Sequence, residues 1–281
     1  MRWSNRQSDN GRNSVASSLK NLEEGGLPLL ALHRIKTEVG ASKRHFTSDL
    51  SVNELLFTHR AGFEPVSQVM GTCIYKVGWQ YLVYNKSAEQ PAMTHAYWHA
   101  RLLAMSRMQQ EARLLGADGV VGVRILSSTY SEQENLIEFV AIGTAVRGPE
   151  PIVTNSPFLS GLNGQDLWTL HVNGFRPVGI AFGNCVWYEM ESLAYRVAQR
   201  HSKGFGTYSG QCNYELTDYT AALNNARLSA MRRMEADVRT LHGDGVVGVQ
   251  IVTETQSSVV SSDADHPQTG SLPDSKLWAP Q

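Results

Sequence analysis

With 281 residues, of which 42% are hydrophobic, the chain is long enough for two domains of ordinary size. Its 25 basic and 26 acidic residues leave a net charge of −1 and a pI near 6.8, which argues against a dedicated nucleic-acid-binding protein with a basic face. No apolar run approaches the ~20 residues that span a bilayer. The N-terminal residues lack the pattern of a secretory signal, so we expect a cytoplasmic protein.

The chain contains an internal duplication. Residues 100–125 and 226–251 are identical at 16 of 26 positions without a gap, at a constant offset of 126. Upstream, residues 62–75 match residues 174–187 at an offset of 112. Two ordered blocks of this quality indicate a copied structural unit. Because each copy spans roughly 100 residues, enough for one small core, the sequence predicts two tandem α+β repeats. Each is a small sheet packed by one long helix plus a short N-terminal helix.

The composition of the chain sets the boundaries of these repeats. Residues rich in Ser, Asn, Arg and Gly cannot bury enough apolar surface to offset the entropy cost of ordering, and prolines punctuate the junction between the copies. The predicted segments are a flexible N-terminal tail with a docking arm (1–44), repeat one (45–148), a linker (149–156), repeat two (157–257) and a flexible C-terminal tail (258–281).

Each repeat begins with a predicted short helix. Ser51-Val-Asn-Glu54 has the spacing of a capping box, in which the serine accepts a first-turn N–H and the glutamate reaches back. Asn163-Gly-Gln-Asp166 is a weaker version at the equivalent place. The predicted helices are residues 52–60 and 164–172. Each ends near a glycine that can take the left-handed conformation, Gly62 or Gly174, and predicted strands follow at 65–75 and 177–187.

The longest predicted element is a helix near Met93–Leu115, repeated near Asp218–Leu241. Apolar residues recur at steps of three and four, which is the period of one helix face. We expect this face to lie on a sheet, since its alanines let the helix axis approach closely. Its members are Tyr97, Ala100, Ala104, Met108, Ala112 and Leu115 in repeat one, and Leu223, Ala226, Ala230, Met234, Val238 and Leu241 in repeat two.

The same helices carry two pairs of opposite charge at i, i+4 spacing. These are Arg107 with Glu111 in repeat one and Arg233 with Asp237 in repeat two. Such pairs on an exposed helix contribute only about 0.3–0.5 kcal/mol each. We therefore interpret them as part of a solvated helix face rather than as a site.

The sequence Asp-Gly-Val-Val-Gly-Val follows each long helix, at 118–123 and at 244–249. Asp-Gly is typical of a tight turn, and the valines predict a buried strand. The glycines within that strand, Gly122 and Gly248, indicate a bulge or the close approach of another backbone. Because these glycines follow a helix C-terminus, they do not have the order of a phosphate loop, which precedes a helix.

Repeat one alone has a clear final strand, predicted at Leu136–Val146. Repeat two has no good copy of it, and residues 257–262 are a weak remnant. The sheet of repeat two is therefore expected to keep an open edge, which is a template for strand addition. The N-terminal arm, a neighbouring subunit or a partner peptide could fill it.

In repeat one, the long helix ends in Leu-Gly-Ala-Asp-Gly-Val-Val-Gly-Val (115–123). A hairpin follows, and then a strand that ends in Gly-Thr-Ala-Val (143–146). This order resembles the YbjQ-like family, which carries a heavy-metal-binding label. The resemblance covers most of repeat one and the second half of repeat two. It implies a small α+β domain and assembly into homo-oligomeric rings, with five-fold rings as the expected form. Repeat two departs from the pattern, because His242 and Gly243 replace the Gly-Ala pair.

Two pairs of residues are candidate metal ligands. His95 and His99 lie four residues apart on the long helix, a spacing that lets two imidazoles bind one ion from one helix face. Asp118 and Asp244 are the acidic pair kept in both repeats, and they serve either as turn caps or as carboxylates for a cation. A divalent metal is the one cofactor that these residues suggest.

Of the three cysteines, Cys73, Cys185 and Cys212, the first two are further candidates for such a metal site. The three contain no CxxC, so neither a disulfide framework nor the familiar soft-metal loop is present. Cys73 and Cys185 are equivalent in the two repeats, and each lies in an apolar run typical of a small buried thiol.

Three classes of function stay open. The first is a non-enzymatic cytoplasmic protein whose partner is itself, in a ring-like homo-oligomer. The second is a metal-ion or small-ligand binding module. The third is an enzyme of unknown class, for which the sequence offers no nucleophile elbow, paired-carboxylate motif or recognisable triad. Neither nucleic acid nor a membrane is expected as a partner.

Overall fold

The computed structural model describes residues 15–41, 45–77, 87–129, 136–148, 156–190 and 215–255. The predicted α+β class is confirmed. The elements in chain order are α1 (residues 15–23), α2 (Leu29–Gly40), α3 (Val52–Arg60), β1 (Glu64–Lys76), β2 (Ala88–Glu89), α4 (Pro91–Leu114), β3 (Gly119–Thr129), β4 (Leu136–Arg147), β5 (Phe158–Leu159), α5 (Gly164–Val172), β6 (Trp187–Tyr188) and α6 (Thr217–Thr240). Within these ranges, no helix is both long and apolar enough to cross a bilayer.

The N-terminal segment differs from the loose tail that its composition suggests. Residues 15–23 are helical, and α2 packs against α4. Leu27 and Ile35 are buried in the core of repeat one, and the Arg34 guanidinium donates a 2.7 Å hydrogen bond to Glu111. The apolar contacts that order this segment come from a distant helix, which a local count of residue types does not include. Residues 1–14 lie outside the described residues.

The short helices have the predicted bounds because their caps are formed locally. The Ser51 hydroxyl accepts the Glu54 N–H, and the Glu54 carboxylate accepts the Ser51 N–H at 2.7 Å, so the capping box is confirmed. Asn163 accepts the Asp166 N–H at 2.8 Å in the same place of repeat two. Both helices are followed by a glycine at φ +83°, Gly62 and Gly174, as predicted.

Repeat one is a twisted sheet covered by α4. Its strand order is β1-β4-β3-β5, with β4 antiparallel to both neighbours and β5 parallel to β3. The register shifts between Val121 and Arg124, where Gly122 has φ +63°, so the predicted bulge is confirmed. Ala100, Ala104, Met108 and Ala112 are fully buried, which confirms the apolar face of the helix. A Cβ on Gly71 of β1 would overlap the Ala104 carbonyl oxygen, so strand and helix touch through their backbones.

Repeat two keeps the same order of elements with a more open packing. A Cβ on Gly183 would overlap the Ala230 carbonyl oxygen, which reproduces the contact of Gly71 with Ala104. The strands predicted at 177–187 and 244–249 are not formed, apart from β6 at the end of the first. Among the described residues, the extended segments 175–186 and 244–255 do not pair into a sheet with each other. The apolar face of α6 is therefore only half-buried, and Leu223 is exposed. The predicted remnant strand at 257–262 falls outside the described residues.

Candidate functional site

The two repeats are joined by a short strand. Residues 158–162, at the start of repeat two, lie along the outer edge of β3 in repeat one. Phe158 N–H donates to the Asp118 carbonyl at 3.1 Å, and Ser160 N–H donates to the Val120 carbonyl at 2.8 Å. Val123 N–H returns a 2.9 Å bond to the Ser160 carbonyl. Repeat two thus completes the sheet of repeat one, and Leu159 enters its core.

Aromatic rings and two closely packed helices also contact each other at this junction. The Phe158 ring lies edge-on to Phe63 at a centroid distance of 5.8 Å, and both residues are buried. Trp168 of α5 meets Phe57 of α3 at 5.5 Å. A Cβ on Gly164 would overlap the Glu54 carbonyl oxygen, so the two equivalent helices contact each other directly. The junction therefore joins like elements of the two repeats.

A second contact runs along the N-terminal half of α4. Asn184 donates through Nδ2 to the Thr94 carbonyl at 2.8 Å, and Val186 N–H donates to the Thr94 hydroxyl at 2.9 Å. Gln90 N–H donates to the Val186 carbonyl at 2.8 Å, beside the two-stranded pairing of β2 with β6. The extended segment of repeat two is thus held between α4 and α6.

The charged residues of the long helices bind the free edge of a strand. Arg107 donates a 2.6 Å bond to the Thr72 carbonyl, and Glu111 accepts the Met70 N–H at 3.0 Å. Both side chains are buried and do not pair with each other, so the interpretation as a solvated face was wrong. The edge of β1 needs partners for its backbone groups, and i, i+4 spacing does not reveal that need. Burial raises the pKa of Glu111, which the Met70 N–H and Arg34 oppose.

The same arrangement recurs in repeat two. Arg233 donates to the Asn184 carbonyl at 2.9 Å, and Asp237 accepts the Phe182 N–H at 2.9 Å. Arg233 also forms a 2.6 Å ion pair with Glu89 of β2. The two repeats therefore share this pattern of hydrogen bonds as well as their sequence, although repeat two lacks a paired sheet among the described residues.

Arg101 is a half-buried cation between the repeats. Its guanidinium carbon lies 3.5 Å from the centre of the Phe182 ring, a cation–π contact between α4 and the extended segment of repeat two. Burial lowers the pKa of Arg101 to about 10, and Asp237 opposes this shift. Neither Arg101 Nε nor Asn184 Oδ1 has a hydrogen-bond partner in the described chain. The periodicity of the helix did not single out this residue.

The family of this chain follows from a match to a known family model. The family model described as "Putative heavy-metal-binding" (YbjQ) matches residues 67–148 and 197–262, which together exceed half of the chain. The chain belongs to the YbjQ family. The two matches fall on the two repeats, so the prediction of two tandem YbjQ-like copies is confirmed.

The relatives of this YbjQ chain include one long match and several short ones. A protein of Mycobacterium tuberculosis, named an encapsulin nanocompartment protein, is 39% identical over 213 residues, which are 74% of this chain and 78% of that protein. A UPF0145 protein of Thermus thermophilus is 44% identical over 59 residues, or 21% of this chain and 50% of that protein. One from Thermotoga maritima is 44% identical over 54 residues, or 19% and 49%.

The structure brings together one of the two predicted pairs of metal ligands. The imidazoles of His95 and His99 are stacked at 6.0 Å between centroids, and His99 rests against Tyr75. Asp118 instead accepts the Gly148 N–H at 2.8 Å and holds the turn before β3, while Asp244 is exposed. The described ranges contain no group of three His, Cys, Asp or Glu side chains placed to hold an ion. Of the predicted metal ligands in the described ranges, the structure therefore places only His95 and His99 side by side.

The equivalent cysteines lie beside the equivalent arginines. Cys73 is buried and Cys185 is half-buried. Burial raises the pKa of each thiol, an effect that Arg107 opposes at Cys73 and that Glu89 strengthens at Cys185. Neither thiol belongs to a group of three possible metal ligands within the described ranges.

Proposed function

We propose that this YbjQ chain is a non-enzymatic cytoplasmic subunit of a homo-oligomeric, ring-like assembly. The observation that carries the proposal is the unpaired segment after α6 in repeat two. The segment after α6 is extended, apolar and exposed where the equivalent β3 of repeat one is buried and paired. An apolar strand with a free edge is a template for another chain. Its exposed apolar residues are Val246, Val247, Val249, Ile251 and Val252.

The comparison with the mycobacterial relative supports an assembled state. That relative is named for an encapsulin nanocompartment, and the match covers most of both chains. By this similarity we extend the proposal to a role as a protein of such a compartment. A catalytic centre is not part of the proposal, because Arg107, Glu111 and Arg233 bind the backbone of neighbouring strands and extended segments.

The tandem arrangement restricts the ring. Each chain contributes two repeats, so a closed ring of this chain holds an even number of repeats. A ring of five repeats is therefore not accessible to it, whereas five chains would form a ring of ten. The five-fold ring that the family resemblance implies would thus contain five chains, not five repeats.

The proposal predicts a native mass that is an integer multiple of 31.1 kDa. Light scattering during gel filtration or native mass spectrometry, at micromolar concentration, measures it. We expect Val247→Lys to shift the mass toward one chain, since a charge on the exposed strand opposes apolar contact. Leu30→Lys is the matched control, because Leu30 is an exposed apolar residue on α2, outside the segment after α6. A clean monomer for the unaltered chain contradicts the proposal.

Metal binding at His95 and His99 is the second proposed function. The stacked rings favour it, because two imidazoles on one helix face can share one ion. We expect zinc to bind the chain and raise its melting temperature, since a ligand of the native state stabilises it. His99→Ala should abolish both effects, and His33→Ala, an exposed histidine on α2, should preserve them. Calorimetric titration without binding contradicts this function.

A further inference from the structure

We propose that residues 46–50 of one copy add as a parallel strand to residues 244–249 of the next copy, in the register that 158–162 and 118–123 use within the chain. The Phe46 ring would then cover Gly245 and contact Phe175 of that neighbour. This inference rests on the proposed homo-oligomer and names the surface by which it forms.

The contact within the chain supplies the template. Residues 46–50 correspond to 158–162 at the offset of 112, and residues 244–249 correspond to 118–123 at the offset of 126. The strand bonds of the junction therefore map onto Phe46 N–H to the Asp244 carbonyl, Ser48 N–H to the Val246 carbonyl, and Val249 N–H to the Ser48 carbonyl. Within the described ranges these backbone groups make no hydrogen bond, although their counterparts do.

The donor strand already has the required shape. Leu50 N–H donates to the Ser48 hydroxyl at 3.1 Å, and Leu162 N–H donates to the Ser160 hydroxyl at 3.3 Å. Leu50 lies over Gly122 in repeat one, as Leu162 lies over Gly248 in repeat two. Because residues 46–50 are ordered against their own repeat, their addition to another chain costs little conformational entropy.

Two phenylalanines that pack together at the junction of the repeats have exposed counterparts elsewhere in the chain. Phe63 and Phe158 pack together and are each 7% exposed. Their counterparts are Phe175, 62% exposed, and Phe46, 52% exposed. Exposed rings at both ends of a tandem repeat are explained if the end of one copy meets the start of the next.

A glycine with open space above it gives a third, independent indication. A Cβ on Gly119 would overlap the Phe158 ring, so this position needs glycine. At its counterpart Gly245, a Cβ would meet no heavy atom within 4 Å, and the backbone does not have positive φ. In the part of the chain that the structure describes, neither space nor backbone conformation therefore requires a glycine there. A second copy provides the missing reason, because its Phe46 ring would occupy the space that Phe158 occupies over Gly119.

The contact between copies differs from the contact within the chain at one position. Val52 stands where repeat two has Gly164, the residue whose backbone touches Glu54. The valine side chain holds the helices of neighbouring copies further apart than α3 and α5 within the chain. We therefore expect strand pairing and the phenylalanine contact to carry the surface, and the helix pair to contribute less.

A paired-cysteine experiment tests the register. Thr47 and Val246 occupy the places of Leu159 and Val120, which lie opposite each other. We expect Thr47→Cys with Val246→Cys to form, on mild oxidation, a ladder of covalent multiples of 31.1 kDa on a non-reducing gel. In the control, Thr47→Cys with Val247→Cys, the second cysteine is on the opposite face of the strand and no ladder should form. Each single variant controls for links through the native cysteines.

A second experiment measures how Gly245 affects the dissociation constant of the assembly. Gly245→Val should raise the dissociation constant of the assembly about tenfold or more by blocking the place of the ring. Gly40→Val, at another glycine in open space, should leave it unchanged. If the unaltered chain is oligomeric, but the variant with Thr47→Cys and Val246→Cys gives no ladder and Gly245→Val leaves the dissociation constant unchanged, this inference is overturned and the proposed function stands. A monomeric chain overturns both.

Discussion

Gly71→Val is expected to lower the free energy of unfolding by about 3 kcal/mol or more, at the upper end of what overpacking costs. A Cβ at this position would overlap the Ala104 carbonyl oxygen and approach the Met108 nitrogen to 2.5 Å. Both obstacles are helix backbone, which cannot rotate away as a side chain can. The valine therefore has to lift α4 from β1, and the fully buried alanines of the helix would lose their contacts.

Chemical denaturation of both variants measures this effect and tests the duplication. Gly183→Val introduces the same overlap with Ala230 in repeat two, so we expect it to detach α6 in the same way. Gly40→Val adds the same side chain in open space and should cost less than about 0.5 kcal/mol. If Gly183→Val leaves the free energy of unfolding unchanged while Gly71→Val lowers it, the two repeats are alike in sequence but not in helix packing.

Arg107→Leu has the second largest expected effect, a loss of about 3 kcal/mol in the free energy of unfolding. The guanidinium donates to three carbonyls, those of Thr72 at 2.6 Å and of Leu22 and Gly26 at 3.3 Å. Leucine fills part of the volume and removes this donor from the Thr72 and Gly26 carbonyls, at about 1–2 kcal/mol each. The Leu22 carbonyl keeps only the Gly25 N–H, at 3.0 Å. Two of these carbonyls belong to the N-terminal segment, so its docking on repeat one should weaken as well.

Two measurements separate these consequences. Denaturation reports the loss of stability, and limited proteolysis under native conditions reports release of the segment, with earlier cleavage expected around residues 22–26. Arg239→Leu is the matched control, because Arg239 is mostly exposed and meets Glu235 only at 3.9 Å. Its expected effect is within about 0.5 kcal/mol. Unchanged proteolysis in Arg107→Leu would contradict a role of this arginine in docking.

The candidate site was only partly visible in the sequence. The spacing of His95 and His99 predicted that their side chains lie together, and their rings are stacked. The joining strand 158–162 was missed, although the offset of 112 extends upstream far enough to align Phe46 with Phe158 and Leu50 with Leu162. Such a short segment carries no hydrophobic period of its own, so its strand character depends on the edge of β3 that it meets.

By itself, the sequence determined the features that neighbouring residues decide. These are the bounds of α3 and α5, set by their caps, the left-handed glycines after them, the buried face of α4 and the bulge at Gly122. Only the tertiary structure decided that Arg107 and Glu111 are buried, that Arg107 binds the carbonyls of Leu22 and Gly26, and that repeat two closes the sheet of repeat one. The reason is physical: caps and helix faces are satisfied within a few residues, whereas a strand edge takes its hydrogen bonds from whichever distant group the fold brings to it.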